Sequence, residues 1–382
     1  MTASSAGRPS RIEIDASALR ANAAALVRTV APSALCAAVK ANGYGHGAVT
    51  AARAAVDGGA AWLAVATIDE GRELRSAGLD VPILLLSDPA PDGDEALIDA
   101  DLVPVVSTVE SVQRIGAAAR RAGRTVRAHL KVDTGMHRVG ATVAEALAVA
   151  DALRDTDGLF LDGVCTHLAR ADEDDPAPTD RQLDAFREVL ARLRASGHRP
   201  TLVHAANSAG SIRFPSARFD MCRCGIALYG IRPAVGVALP DGVTPALRLV
   251  SAVSAVRSVA AGESVGYGGR FVADAGTTIA TVPVGYGDGV PRSLGLVGGE
   301  VLIDGRRRPI AGVVSMDQLT VATNGEVAVG DEVVLLGAQR GERITPEDWA
   351  AKLGTIGYEI VCGLSARLPR VAVAGPADSG GR

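Results

Sequence analysis

The sequence predicts an α/β part followed by an all-β part: an N-terminal (β/α)8 barrel over residues 11–240 and a C-terminal β domain over 241–375, with which the first few residues of the chain can also pack. Three observations predict it. Apolar, strand-like runs alternate with amphipathic, Ala- and Arg-rich stretches through the first two-thirds of the chain. There are eight such runs in about 230 residues, the count for a closed barrel. Near residue 240 the texture changes to short β-branched runs separated by Gly and Asp, the mark of a separate β unit.

The runs fall at 35–40, 61–66, 82–87, 102–107, 126–132, 159–167, 201–206 and 219–226. Val109 to Arg121 and Ala141 to Arg154 have helical period between them. A doubly wound sheet would show the same alternation. The missing GxGxxG after the first run weakens its dinucleotide-binding version. Pro233 to Pro245 reads as the linker. Beyond it, strands are expected at 250–259, 277–284, 300–303, 318–321, 332–336 and 370–373. Met1–Ser10 and Ala374–Arg382 read as loose ends.

Composition narrows the function. With 48% hydrophobic and 21% charged residues the chain fits a soluble globular enzyme, and 382 residues are enough for two domains. A net charge of −4 without a dense basic patch argues against nucleic acid as a partner. The five cysteines show no CxxC spacing, so they read as reduced thiols. The polar start MTASSAGRPSR and the lack of an 18-residue apolar span argue against secretion and membrane insertion, and a cytoplasmic protein is expected.

Barrel enzymes do their chemistry at the C-terminal ends of the strands. The first run ends in Lys40, followed by Ala-Asn-Gly-Tyr44-Gly-His-Gly. A lysine leaving a buried strand is partly desolvated, which disfavours its ammonium form. A neutral amine can form a Schiff base with an aldehyde. A charge snorkelling out of a strand end explains a lone lysine equally well. The fifth run ends in Lys131-Val-Asp133-Thr-Gly-Met-His137-Arg138, the sixth in Thr166-His167, the seventh in His204-Ala-Ala-Asn207-Ser208, the eighth in Arg223-Cys-Gly225-Ile226. Amine, hydroxyl, imidazole and guanidinium groups thus converge on one mouth. No cluster of metal-ligand spacing, GxSxG elbow or Walker loop is present. The set suits an anionic aromatic cofactor tethered to a lysine.

The segments AVKANGYGHGA, LKVDTGMHRVG, THLARADE, HAANSAG, CRCGIALYG, VGYGGR, VPVGYGDGVPR, SMDQ and TIGYEIVCGLSARLPR together resemble the alanine racemases, pyridoxal 5'-phosphate enzymes of fold type III, over about Arg11 to Val373. The resemblance implies that Lys40 carries the cofactor as an aldimine and that Tyr44, Ser208, Gly225, Ile226 and Tyr358 hold its phosphate. Asn207 would support that loop. Ser208 also reads as a helix N-cap. His167 would stack on the pyridine ring, and a satisfied core histidine is its plainer reading. Arg223 would face the pyridine nitrogen, where an always-charged donor leaves that nitrogen unprotonated. A surface ion pair is the plainer reading of Arg223.

Arg138 would meet the substrate carboxylate. Lys131 matches a lysine that is often carbamylated in the family, and an unmodified Lys131 pairing with Asp133 is an equal alternative. Racemisation needs a base on each face, and the resemblance makes these Lys40 and Tyr267, the tyrosine reaching in from the partner subunit of a homodimer with shared active sites. A Tyr267, His167, Arg223 chain would help the phenol act as a base. Met316 and Asp317 would approach the substrate carboxylate, and Asp172, Tyr286 and Arg292 match positions along the access corridor.

The implied activity is interconversion of L- and D-alanine by two-base proton transfer, supplying D-alanine for peptidoglycan, with no metal. A racemase of other specificity, such as serine, a fold type III decarboxylase and a barrel-only cofactor carrier are the rivals. The full β domain with Tyr267 and SMDQ argues against the carrier. The chain departs from the family pattern at His137, where Gly is usual, at Cys224, where Pro is usual, and at Gly269-Arg270. Gly312-Val313-Val314-Ser315 stands where an Arg is common. These departures bear on substrate range and access.

Overall fold

The computed structural model describes residues 8–373. The chain divides into two compact units, one of Leu19–Thr244 and one made of the described residues up to Ala18 and from Pro245 onward. The first strand, β1 (Arg11–Asp15), therefore belongs to the second unit, although the sequence reading started the barrel at residue 11.

The first unit holds eight parallel strands: β2 (Ala34–Ala38), β3 (Trp62–Val65), β4 (Ile83–Leu85), β5 (Val103–Val106), β6 (Val126–Lys131), β7 (Leu159–Cys165), β8 (Leu202–His204) and β9 (Met221–Cys224). Their order is β8-β7-β6-β5-β4-β3-β2-β9, and every neighbouring pair is parallel. The ends meet through two backbone bonds, Asp220 N–H to Val203 O at 2.9 Å and Arg223 N–H to Ala206 O at 3.0 Å. The Asp220 carboxylate adds a third, accepting from Val203 N–H at 2.8 Å. The sheet is thus almost closed into a barrel, and the open doubly wound alternative falls away.

Strands β3, β4, β5 and β9 are buried throughout and the others over most of their length, as parallel strands wrapped by helices must be, which explains why they read as apolar runs without alternation. The helices are set by local chemistry. Thr67 and Glu70 form a capping box at the helix Ile68–Ser76. Thr108 caps Val109–Arg121, whose Val112, Ile115 and Ala119 face inward.

The second unit is mainly β. A seven-stranded sheet has the order β16-β15-β18-β10-β1-β20, with β19 on β18. Its strands are β10 (Leu247–Ala252), β15 (Glu300–Ile303), β16 (Arg306–Pro309), β18 (Glu332–Gln339), β19 (Glu342–Ile344) and β20 (Arg370–Val373), besides β1. A three-stranded sheet joins β11 (Ala255–Val259), β14 (Thr277–Val282) and β17 (Leu319–Thr323), and a small hairpin joins β12 (Ser264–Val265) to β13 (Phe271–Val272). Strands β12, β13, β16 and β19 and the helices Pro346–Leu353 and Gly357–Cys362 were not expected.

Of the expected loose ends, residues 1–7 and 374–382 lie outside the described residues. Ser10 is not loose. It is buried, its hydroxyl lies 2.9 Å from that of Ser251, and it donates to Pro283 O at 2.7 Å. No helix among the described residues is long and apolar enough to cross a membrane.

Candidate active site

The site residues of the barrel unit stand at or just beyond the C-terminal ends of its strands. Lys40 follows β2. Val39 N–H still donates to Ala64 O of the neighbouring strand at 2.9 Å, so the ladder holds to the residue before the lysine. Directly after it the backbone turns left-handed. Ala41, Asn42, Gly43 and Tyr44 have φ of 53°, 53°, 60° and 50°. A left-handed residue bearing a Cβ costs roughly 1–2 kcal/mol, so the turn stores strain directly after Lys40. Gly43 N–H closes it on Val39 O at 2.8 Å and Gly45 N–H on Ala41 O at 3.0 Å. A methyl group at Gly43 would sit 3.2 Å from Ala51 Cβ, so glycine is needed for space as well as for φ.

Tyr44 comes out of this turn buried and packs against Tyr229, ring centroids 5.0 Å apart. A methyl group at Gly225 would come within 2.3 Å of Tyr44 Oη, so Gly225 leaves the space that the phenol occupies. Ser208 Oγ accepts from Gly225 N–H at 3.0 Å and from Ala227 N–H at 3.4 Å. With both lone pairs used, its own proton is left to donate. Ser208 is not a helix cap. That part belongs to Asn207, whose Oδ1 accepts from Gly210 N–H at 2.9 Å and whose amide reaches Leu168 O at 3.3 Å. Ile226 opens a short 3-10 turn, so its N–H has no partner within that turn.

Arg223 is buried inside the barrel, which rules out the surface ion pair. It donates to His204 Nδ1 at 2.7 Å, His167 Nδ1 at 3.0 Å, Thr166 O at 2.9 Å and Ala205 O at 3.0 Å. Arginine can only donate, so both Nδ1 atoms must be bare. His204 then carries its proton on Nε2, 2.8 Å from His129 Nδ1. His129 is in turn left with its proton on Nε2, 3.7 Å from Asp162 Oδ2. Burial first, then Arg223, holds His167 and His204 well below the ordinary imidazole value, so both rings are neutral.

Lys131 ends β6. Its pKa is pushed down, by burial first, with Arg138 and Arg223 acting the same way against Cys165 and Asp133. It does not pair with Asp133 and has no carboxylate among the described residues within ion-pair distance. Asp133 Oδ1 instead accepts from Gly135, Met136 and His137 N–H at 2.9, 3.0 and 3.1 Å. Burial raises the pKa of Asp133, but these amides outweigh it and the net shift is downward. This loop presents Arg138 at the surface. His137 has φ 55°, which explains why glycine is usual there. Asp172 is exposed in the loop after β7.

In the second unit Tyr267 stands at the tip of the β12–β13 hairpin, 72% exposed, with Gly266 and Gly268 at φ 76° and 72°. Val265 and Phe271 anchor the hairpin on a core of Val259, Ala273, Ile279 and Ala311. Tyr286 N–H donates to Ser315 O at 3.0 Å and Gly287 N–H to Met316 O at 2.9 Å, which brings Tyr286 beside Met316 and Asp317. Val314 N–H joins Arg292 O to the same group at 3.2 Å. Asp317 pairs with Arg367 at 2.6 Å. Tyr358 lies on the helix Gly357–Cys362.

Residues 14–233 match the model of the alanine racemase N-terminal domain and residues 246–372 that of the C-terminal domain. The chain belongs to the alanine racemase family. It is 47% identical to the alanine racemase of Symbiobacterium thermophilum over 365 residues, 95% of this chain and 97% of that one. The alanine racemase of E. faecalis superposes with a TM-score of 0.91 at 40% identity, covering 97% and 99% of the two chains. A histidine racemase from Leuconostoc mesenteroides superposes with a TM-score of 0.89 at 28% identity, covering 97% and 99%.

The family is pyridoxal-phosphate dependent and its members are racemases, which are isomerases. The barrel mouth fits that cofactor. A buried hydroxyl with its proton to give, a phenol lodged over a bare glycine, an amine after β2 and a buried guanidinium make a set rich in donors, as an anion requires. Among the described residues no group of His, Cys, Asp or Glu is placed to hold a metal. Sequence reasoning gave no role to His129, Asp162 or Glu70. A signal was present for His129: period-two alternation along β6 puts it on the same face as Lys131.

Proposed function

We propose that this protein interconverts L- and D-alanine, with Lys40 and Tyr267 as the two bases, in a cytoplasmic homodimer whose sites each take residues from both chains. The observation that carries the reading is the barrel mouth, where Lys40 leaves β2 beside the Tyr44, Ser208 and Gly225 cradle and a fixed Arg223.

Pyridoxal phosphate, when bound, acidifies the Cα–H of the amino acid by drawing off its electron pair. Lys40 would hold it, with Tyr44 Oη, Ser208 Oγ and the Ile226 N–H toward the phosphate. Tyr358 would join them. Lys40 Nζ would take or return the proton on one face of Cα and Tyr267 Oη on the other. His167 presents its Nε2 proton as a donor, suited to holding a phenolate oxygen, while its neutrality adds no charge. Arg223 offers only N–H groups, so nothing at its position can keep a proton on a nitrogen facing it. Arg138, Met316 and Asp317 would set the substrate carboxylate, and Asp172, Tyr286 and Arg292 would line the way in.

Tyr267, Val272, Tyr286 and Met316 of the second unit are each exposed, apolar surface of the kind that a second subunit covers. We read Lys131 as the site of a carbamate. Its amine is pushed toward the neutral, nucleophilic form, and the product anion would offset Arg138 and Arg223.

The test is deuterium washout with enantiomer analysis on alanine, serine and histidine. Racemisation of alanine well above the other two supports the reading. A preference for histidine, the substrate named for the Leuconostoc relative, would overturn the substrate assignment.

A further inference from the structure

We propose that Glu70 is a positioning residue for Lys40, holding in place the left-handed turn that aims the lysine. The inference rests on the reading of Lys40 as tether and base.

Lys40 is bracketed by two hydrogen bonds. Before it, Val39 N–H donates to Ala64 O on β3 at 2.9 Å. After it, Ala41 N–H donates to Glu70 Oε1 at 2.6 Å. The other carboxylate oxygen accepts from Ala66 N–H at 2.8 Å and Thr67 N–H at 3.2 Å, at the end of the same β3. One carboxylate therefore ties the residue after Lys40 to the strand that also fixes the residue before it. Packing cannot do this, because Ala41 and Asn42 are exposed. The far end of the turn has its own clamp, Asn42 Oδ1 accepting from Ala48 N–H at 3.0 Å.

The chemistry asks for glutamate. Two oxygens that only accept are needed to take three N–H groups from two directions. Glutamine would turn its NH₂ against one set of amides. Aspartate is shorter by one methylene; it can still cap the helix Ile68–Ser76 but cannot also reach Ala41. The capping role is separable, since Thr67→Ala breaks the capping box and leaves the Ala41 bond intact.

Glu70→Asp, Glu70→Gln and Thr67→Ala are compared in the full-length protein. Amide exchange of the 40–45 segment, read with the cofactor stripped, should quicken about tenfold in both Glu70 variants and stay unchanged in Thr67→Ala. Trapping of pyridoxal phosphate on Lys40 by borohydride should slow by a similar factor. With the cofactor restored, the α-deuterium isotope effect should rise for the enantiomer whose proton Lys40 removes and fall for the other, a directional change that general loosening does not produce. Unchanged exchange at 40–45 in Glu70→Asp, or Thr67→Ala reproducing every effect, would overturn the proposal. If Glu70→Gln does not fold, Glu70→Asp against Thr67→Ala still decides it. Failure of the underlying reading looks different: Lys40→Ala would racemise alanine while the exchange result stood.

Discussion

The two units hold their site residues in opposite ways. In the barrel, Arg223 is buried, makes four hydrogen bonds and dictates the tautomers of His167 and His204. In the second unit Tyr267 stands mostly in solvent on a hairpin of two-residue strands, and Met316 and Tyr286 are also exposed. The difference teaches where each half is preorganised. Arg223, Ser208 and Asn207 are held by hydrogen bonds within this chain. Tyr267 has its backbone set by glycines and a small core, and its side chain stands in solvent.

The largest effect tests the barrel half. Lys40→Ala should lower racemisation by about a thousandfold or more, since on the proposed reading it removes both tether and base. Borohydride should label the peptide containing Lys40 in the unaltered protein. A label on Lys131 would break the assignment.

Next comes the exposed half. Tyr267→Phe should lose about a hundred- to ten-thousandfold, the usual worth of a general base. Refolding it together with Lys40→Ala should return about a quarter of full activity if the proposed shared-site dimer forms, because half the dimers would be mixed and half their sites intact. No recovery in confirmed mixed dimers would mean that one chain supplies both bases.

Acid should separate the units. All six histidines lie between His46 and His204, and the second unit has none. Burial holds His167, His204 and His129 below the ordinary value of about 6.5. The unfolded chain therefore binds protons there that the folded barrel does not, so this stability is present above pH ~6.5 and is lost as pH falls. The slope is about 1.4 kcal/mol per pH unit for each ring. Trp62 reports on the barrel and Trp349 on the second unit, both buried. Single-tryptophan variants should show the Trp62 transition weakening between pH 7 and 5 while Trp349 changes little. Coincident transitions would break the comparison.

The smallest effect lies at His137. Replacing it with glycine should raise stability by about 1 kcal/mol, because φ is positive and the Asp133 contact at 3.8 Å is largely exposed. A fall in denaturation midpoint would show that this contact outweighs the strain.

The barrel was legible because its strands are buried over most of their length and its helices are amphipathic, so every run announced itself. The site was legible as positions at strand ends. Three things were hidden. The turn after Lys40 reads as a glycine-rich loop, since Asn42 tolerates left-handed backbone without requiring it and nothing in Ala41 signals it. The His129–His204 contact joins residues 75 apart, a matter of barrel closure rather than of local pattern. The helix Pro346–Leu353 was missed despite Thr345 and Asp348 forming a capping box around a proline at the first turn, a signal that the search for strands passed over.

The placement of β1 has a consequence for how the protein is made. It pairs antiparallel with β10 and parallel with β20, two strands that both follow the barrel in the chain. It is made before the barrel, yet its partners arrive only after the whole barrel has been synthesised. Until then it is an unpaired strand with Ile12 and Ile14 on one face, open to wrong pairing. A gene fragment cut at the linker would lack that strand and should yield insoluble protein, whereas fusing residues 8–18 to its far end through a flexible tether should restore a soluble fold.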